Sequence, residues 1–329
     1  MKKIFLIAVL ILIFVINRAE VRGCTGLPVD LRVITAIDTT EIVSIGGIKQ
    51  LISIKGENKE NPILLFLHGG PGSSLMEPAD KFTDRLQKEF VVVQWDQRET
   101  GGTLKLNPSP KKLTVKLMQD DTYEVVKLLL KKFNHKKLYL ASHSWGSVLA
   151  FNIADKYPEL LSAYIAISPI IDQLKSAQLT EKTLKEWALK NNNEQALKEL
   201  ALVKIPFQQE EDLFYSQKWL FIRNGVEFAK KDDFKSKYYA WMSVWFPVWK
   251  ESIGSNLFKD LPAVKCPVYF IEGNADGLAA HVIVEDYYKF LKAPKKDFFW
   301  FSNSGHTVFN TEPEKLQEVI ITEILCKNK

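Results

Sequence analysis

Short apolar runs alternate with helical patterns along most of this chain. Ile63–Leu67, Phe90–Trp95, Leu138–Ala141, Tyr164–Ile167, Val268–Ile271 and Phe298–Phe301 are almost purely apolar. A strand covered on both faces reads this way, because neither side-chain direction meets water. Between several of these runs lie helical patterns. Leu113–Phe133 carries Leu117, Met118, Val125, Val126, Leu128, Leu129 and Leu130, spaced to fall on one side of a helix, and Ala280–Leu291 and Pro313–Leu325 behave alike. Glu41–Ile45 and Ile48–Ile54 flank Gly46-Gly47 and predict a hairpin. The expected fold class is α/β: a mostly parallel sheet flanked by helices, begun by an antiparallel hairpin.

The alternation stops between about Ile170 and Leu257. That stretch is helical in pattern and rich in Lys, Glu and Trp, with Trp241, Trp245 and Trp249 recurring every four residues along one helix face. It predicts a helical lid inserted into the sheet domain. The stripe reads first as packing between lid and core; Trp245 is also a candidate substrate contact. The expected organisation is a core in two parts, 41–169 and 258–329, interrupted by a lid at 170–257 and preceded by a linker at 24–40.

Residues 1–23 have a different character. Lys2 and Lys3 precede the unbroken apolar run Ile4–Ile16, short for a membrane span and suited to a signal-peptide core. Gly23 before Cys24 fits a lipid-attachment site, whereas Arg22 does not. Lipid anchoring at Cys24, an uncleaved membrane anchor and simple secretion all stand open, and each puts the protein outside the cytoplasm. The formal net charge is +5, of which +3 sits in Met1–Gly23. What remains is too mild and dispersed for a nucleic-acid partner. With 46% apolar and 25% charged residues the rest reads as ordinary globular sequence. The three cysteines, Cys24, Cys266 and Cys326, make no disulfide framework, although Cys266 and Cys326 could pair. Cys266 opens an apolar strand and reads as inert core. No Cys/His spacing suggests a metal site, and no cofactor is implied.

Candidate chemistry begins where Leu138–Ala141 runs into Ser142-His143-Ser144-Trp145-Gly146 and a helix from Trp145 to about Tyr157. A nucleophile at the apex of a strained strand-to-helix turn needs small residues two positions to either side. Ser142 and Gly146 meet that need; Ser142 stands where glycine is usual. A serine hydroxyl also needs a base, and the base an orienting acid. Asp276 follows the strand Val268–Ile271, and His306 follows the next strand, so Ser144, Asp276 and His306 occur in the chain order this kind of sheet requires. Both partners fall at carboxyl ends of strands, where α/β sheets hold their sites. His68, His135, His143 and His281 lack such a position. An oxyanion hole needs two donors. The backbone N–H of Trp145 is one, and the loop His68-Gly69-Gly70-Pro71-Gly72 after Ile63–Leu67 offers the other. Pro71 stiffens that turn and admits a cis bond.

Three motifs carry a resemblance: His-Gly-Gly-Pro-Gly at 68–72, Trp-Asp-Gln-Arg at 95–98 with Gly101 beyond it, and Ser-Trp-Gly-Ser at 144–147. With Asp276 and His306 they span about residues 40–325. The chain resembles the α/β-hydrolase superfamily, and within it the proline iminopeptidase group. The resemblance implies an α/β-hydrolase fold, aminopeptidase action on N-terminal proline or small residues of short peptides, and an oxyanion role for the amides of Gly70 and Trp145. Glu99 stands where the group has glycine. An aminopeptidase must also hold a free ammonium group, which relatives do with lid carboxylates; Glu210, Glu211, Glu227 and Glu251 are the candidates, and none lies in a matching motif. The alternative on the same fold is a carboxylesterase or lactonase. A membrane-tethered binding protein without catalysis is a third reading. The expected partner is a small peptide or ester.

Overall fold

The computed structural model describes residues 35–328. The segment 1–23, Cys24 and the first part of the expected linker lie outside the described residues. The eight strands are β1 Ile37–Ile45, β2 Ile48–Gly56, β3 Ile63–Leu67, β4 Val91–Asp96, β5 Leu138–His143, β6 Leu161–Ile167, β7 Val268–Gly273 and β8 Lys296–Phe301. They form one sheet in the order β1-β2-β4-β3-β5-β6-β7-β8. β1 pairs with β2, and β2 with β4, antiparallel; every other pairing is parallel.

β1 corrects the linker boundary, because Ile37–Thr40 are already strand. Their short alternation, Ile37 and Thr39 half-buried and Asp38 and Thr40 exposed, is easily missed beside the strongly apolar runs. The central strands behave as their composition predicts. Leu65 and Leu67 of β3 face one core with Val93, Leu140, Ala166 and Phe270. Leu64 and Phe66 face the other with Val92, Ala141, Ile165 and Ile271. Two short helices, α1 Asp80–Thr83 and α2 Gly101–Leu106, precede α3 Val115–Lys132 and α4 Gly146–Lys156, whose junction with β5 is an elbow carrying Ser144. Thr114 caps α3 by accepting from the N–H of Leu117.

Between β6 and β7 the chain forms α5 Gln173–Lys190, α6 Glu194–Leu200, α7 Glu210–Arg223, α8 Phe234–Ser252 and α9 Leu257–Asp260. The two chain crossings into this lid are tied together. Asn256 Nδ2 donates to Asp172 Oδ2 at 2.7 Å, and the Leu257 amide donates to the Ile171 carbonyl at 2.9 Å. After β7 come α10 His281–Phe290, α11 Val308–Thr311 and α12 Pro313–Glu318. The expected helix Pro313–Leu325 changes pitch on the way, becoming a π-helix over Val319–Leu325. Cys266 is a buried free thiol, so it does not pair with Cys326. Burial pushes that thiol up to about 11, which keeps it unreactive. Among the described residues no helix is long and apolar enough to cross a membrane.

Candidate active site

Ser144 sits between β5 and α4 with φ +52°, a left-handed conformation that costs an L-residue energy. Its amide donates to the Ile167 carbonyl at 3.0 Å, which holds the turn against β6. Gly146 is required by contact. A Cβ there would stand 2.6 Å from the Leu67 carbonyl oxygen and 2.8 Å from that of His68. Position 142 tolerates serine because its buried Oγ finds a partner, the Tyr164 hydroxyl at 2.8 Å.

The structure brings the three separated residues together. His306 Nε2 lies 2.8 Å from Ser144 Oγ, and His306 Nδ1 lies 2.8 Å from Asp276 Oδ2. The other Asp276 oxygen accepts from the amides of Leu278, at 2.8 Å, and Ala279, at 3.0 Å. Burial opposes the charge on Asp276. The neighbouring His306 and these bonds outweigh it and hold the carboxyl below the usual range.

Two residues here escaped the sequence reading. Glu272, at the end of β7, is fully buried beside Asp276, the one side chain its carboxyl can share a hydrogen bond with among the described residues. Burial, and then the charge of Asp276, push it well above the usual range, so the neutral acid is favoured. One acid ending an apolar run gave no sequence signal. His143 donates from Nε2 to the His306 carbonyl at 2.8 Å, and its ring lies 4.8 Å from that of His306. It therefore borders the site, although its position in the sequence marked it only as unsuited to be the base. Burial, reinforced by His306, lowers its pKa to about 3, so it serves as a neutral prop.

The loop after β3 approaches the elbow closely. A Cβ on Gly69 would meet the His143 carbonyl at 2.6 Å and the Trp145 amide at 3.3 Å. Gly70 has φ +110°, and the Gly70–Pro71 peptide is cis. Gly70 and Trp145 both border the Ser144 cavity. The 95–98 motif braces this loop rather than facing substrate. His68 is buried, and burial lowers its pKa to about 4. As a neutral ring it donates from Nδ1 to the Gly69 carbonyl at 3.1 Å and accepts from the Gln97 amide at 3.3 Å. Asp96 accepts from Ser74 Oγ and from the Gly102 amide. Arg98 pairs with Asp121, both buried, and donates to the Gly46 carbonyl at 2.6 Å, joining the β1–β2 turn to α3. Glu99 adopts φ +53°, which explains glycine as the usual residue there; its carboxylate accepts from the Ser109 amide.

Ser144 and His306 open onto a cavity of about 560 Å³ between sheet edge and lid. Trp241 and Trp249 border it, with Leu213, Phe221 and Leu278. Trp245 does not; it is buried against Gly72, where a Cβ would lie 2.3 Å from its indole nitrogen. The lid acids are elsewhere. Glu251 accepts from the Val115 amide at the start of α3, at 3.1 Å, and Glu227 pairs with Lys230 at 2.7 Å. Glu210 and Glu211 occupy the first turn of α7, where a negative charge suits the helix end. The buried lid acids are engaged as well: Asp212 accepts from the amides of Lys204, Gln208 and Gln209, and Glu181 pairs with Lys185 at 3.3 Å. Among the described residues, no carboxylate borders the cavity.

A family model described as the alpha/beta hydrolase fold matches residues 62–313. The probable aminopeptidase YbaC of Bacillus subtilis is 31% identical over 300 residues, covering 82% of this chain and 91% of its own. The proline iminopeptidase of Lactobacillus helveticus is 29% identical over 141 residues, covering 42% of this chain and 45% of its own. Among solved structures, a proline iminopeptidase-related protein from Thermus thermophilus superposes with a TM-score of 0.57 at 20% identity, covering 88% of this chain and 98% of that one. An esterase from Thermogutta terrifontis does so with a TM-score of 0.54 at 18% identity, covering 88% and 99%. These two structures share the fold; at such identities they say nothing more.

Proposed function

The chain belongs to the α/β-hydrolase family and is a hydrolase, and we propose that it works through Ser144 on small substrates whose acyl part carries no free ammonium, carboxylic esters and lactones foremost. In this reading Ser144 Oγ attacks the carbonyl carbon while His306 Nε2 takes its proton. Asp276 holds the imidazole in the required tautomer and stabilises the imidazolium. The amides of Gly70 and Trp145 receive the oxyanion. His306 then gives the proton to the leaving group, and water releases the acyl group from Ser144 by the same route. The non-catalytic binding-protein reading falls away with membership of an enzyme family.

One observation carries the choice of substrate: among the described residues, no carboxylate borders the cavity that holds Ser144. An ammonium brought there would lose its water without gaining a counter-charge, which is costly. The aminopeptidase reading rests on the resemblance to the proline iminopeptidases and on the relative named a probable aminopeptidase. It needs an acid that the cavity wall does not supply. The extracytoplasmic location is likewise our proposal, motivated by Lys2-Lys3 and the apolar run Ile4–Ile16.

The test is covalent labelling. A fluorophosphonate should modify Ser144 and abolish hydrolysis of 4-nitrophenyl butyrate in step with labelling. Modification of Ser142 or Ser147 instead, or undiminished hydrolysis by fully labelled protein, would overturn the assignment.

A further inference from the structure

Two carboxamides lie on the largely apolar lid side of the Ser144 cavity. Gln173, the first residue of α5, is only 6% exposed, yet its side chain borders the cavity and has no hydrogen-bond partner among the described residues. Gln217, in the middle of α7, is half-buried, borders the same cavity and likewise has no hydrogen-bond partner among the described residues. Both also border a recess of about 10 Å³ between α5 and α7, which brings them to one corner of the lid. Leu213, Phe221 and Leu278 lie on the same cavity wall. The contrast with Gln50 is instructive. That buried glutamine donates to the Ile45 carbonyl and Asp121 and accepts from Trp95.

Neither carboxamide is spent on a bond to a described residue, so both are free to pair with a ligand that displaces the cavity's water. Each glutamine offers two N–H donors and one carbonyl acceptor and carries no charge. The complementary group also combines donor and acceptor and is also neutral. Building on the serine-hydrolase reading above, we propose that Gln173 and Gln217 form a subsite for a neutral amide group on the non-reacting part of the substrate. The Tyr238 hydroxyl borders the cavity too and makes no bond to a described residue, so it adds a further neutral donor.

Four ligands of nearly one shape test this: benzamide, acetophenone, benzoate and benzamidinium. They present respectively a neutral donor–acceptor, an acceptor alone, an anion and a cation. Their inhibition of 4-nitrophenyl butyrate hydrolysis is measured in the wild type, Gln173→Leu and Gln217→Leu. Their binding to Ser144→Ala is read separately from tryptophan fluorescence, since Trp241 and Trp249 border the cavity. Benzamide should bind at least about tenfold tighter than each of the other three. Its preference over acetophenone should shrink about tenfold in Gln173→Leu, and Gln173→Glu should turn the preference toward benzamidinium. Because ligands are compared within one variant, partial misfolding of a variant cancels from the ratio. Equal binding of the four, or an unchanged benzamide-to-acetophenone ratio in both leucine variants, overturns the subsite. Discrimination in Ser144→Ala without ester turnover by the wild type would overturn the ester reading alone. Turnover without discrimination would overturn the subsite alone.

Discussion

At the scale of residues, the three that meet at the cavity floor were legible because each follows an apolar strand, in the order the fold demands. Ser144→Ala should lower kcat by on the order of 10⁴-fold while leaving the melting temperature close to wild type, since only a hydroxyl is lost; retention of a tenth of the rate would exclude Ser144 as nucleophile. Glu272, His143 and Gln173 were not legible. A single acid, a second histidine or an uncharged amide acquires meaning only from what it is buried beside. Glu272 yields a prediction with a definite sign. Its carboxyl is raised in the folded protein, so its neutral form is compatible with folding at low pH. Stability is lost as pH rises from the unfolded value, about 4.5, through the folded one. Glu272→Gln removes that loss. Its stability relative to wild type, from urea unfolding, should climb by about 1.4 kcal/mol per pH unit above about pH 4.5 until the folded carboxyl ionises. A pH-independent difference would mean Glu272 is ionised throughout.

At the scale of elements, the central strands were legible because both their faces are buried; β1 was not, because half-exposed alternation is a weaker signal. The turn and loop motifs were visible as strings, but their physical reasons were not. Gly146 is small because two backbone oxygens stand where its Cβ would go. Gly146→Ala must displace β3 or the elbow, and should destabilise by about 1–3 kcal/mol and misplace Ser144, lowering kcat as well as melting temperature. The 95–98 motif suggested a functional match, yet its arginine is spent on structure. Arg98→Met would leave Asp121 buried without its counter-ion, and should cost about 3–5 kcal/mol in denaturant unfolding. A change below about 1 kcal/mol would show that water reaches Asp121.

At the scale of the whole molecule, a two-sided sheet positions the site and a helical lid roofs it. The lid's existence was legible from the lapse in strand pattern. The fate of its acids was not, since a surface glutamate and an ammonium-binding one look alike until the cavity wall is known. The same architecture buries His68 and His143 as neutral rings, lowered to about 4 and about 3. Above about pH 6.5 they are neutral in both states. Below it the unfolded chain takes up protons that the folded chain refuses, so each removes about 1.4 kcal/mol of stability per pH unit, down to about pH 4 for His68 and about pH 3 for His143. Glu272 works in the opposite direction, so the fall between pH 6.5 and 5 should be steeper in Glu272→Gln than in wild type. A flat profile in that variant would mean that the two rings protonate in place.

The reading of the whole cavity comes down to the charge it accepts. The direct measurement is kcat/KM for proline 4-nitroanilide against N-acetylproline 4-nitroanilide, two substrates with one leaving group that differ at the amine. Because no carboxylate among the described residues borders the cavity, the acetylated substrate should be the better one, by about tenfold or more. A preference of that size for the free amine would place an acid at the substrate's ammonium and restore the aminopeptidase reading.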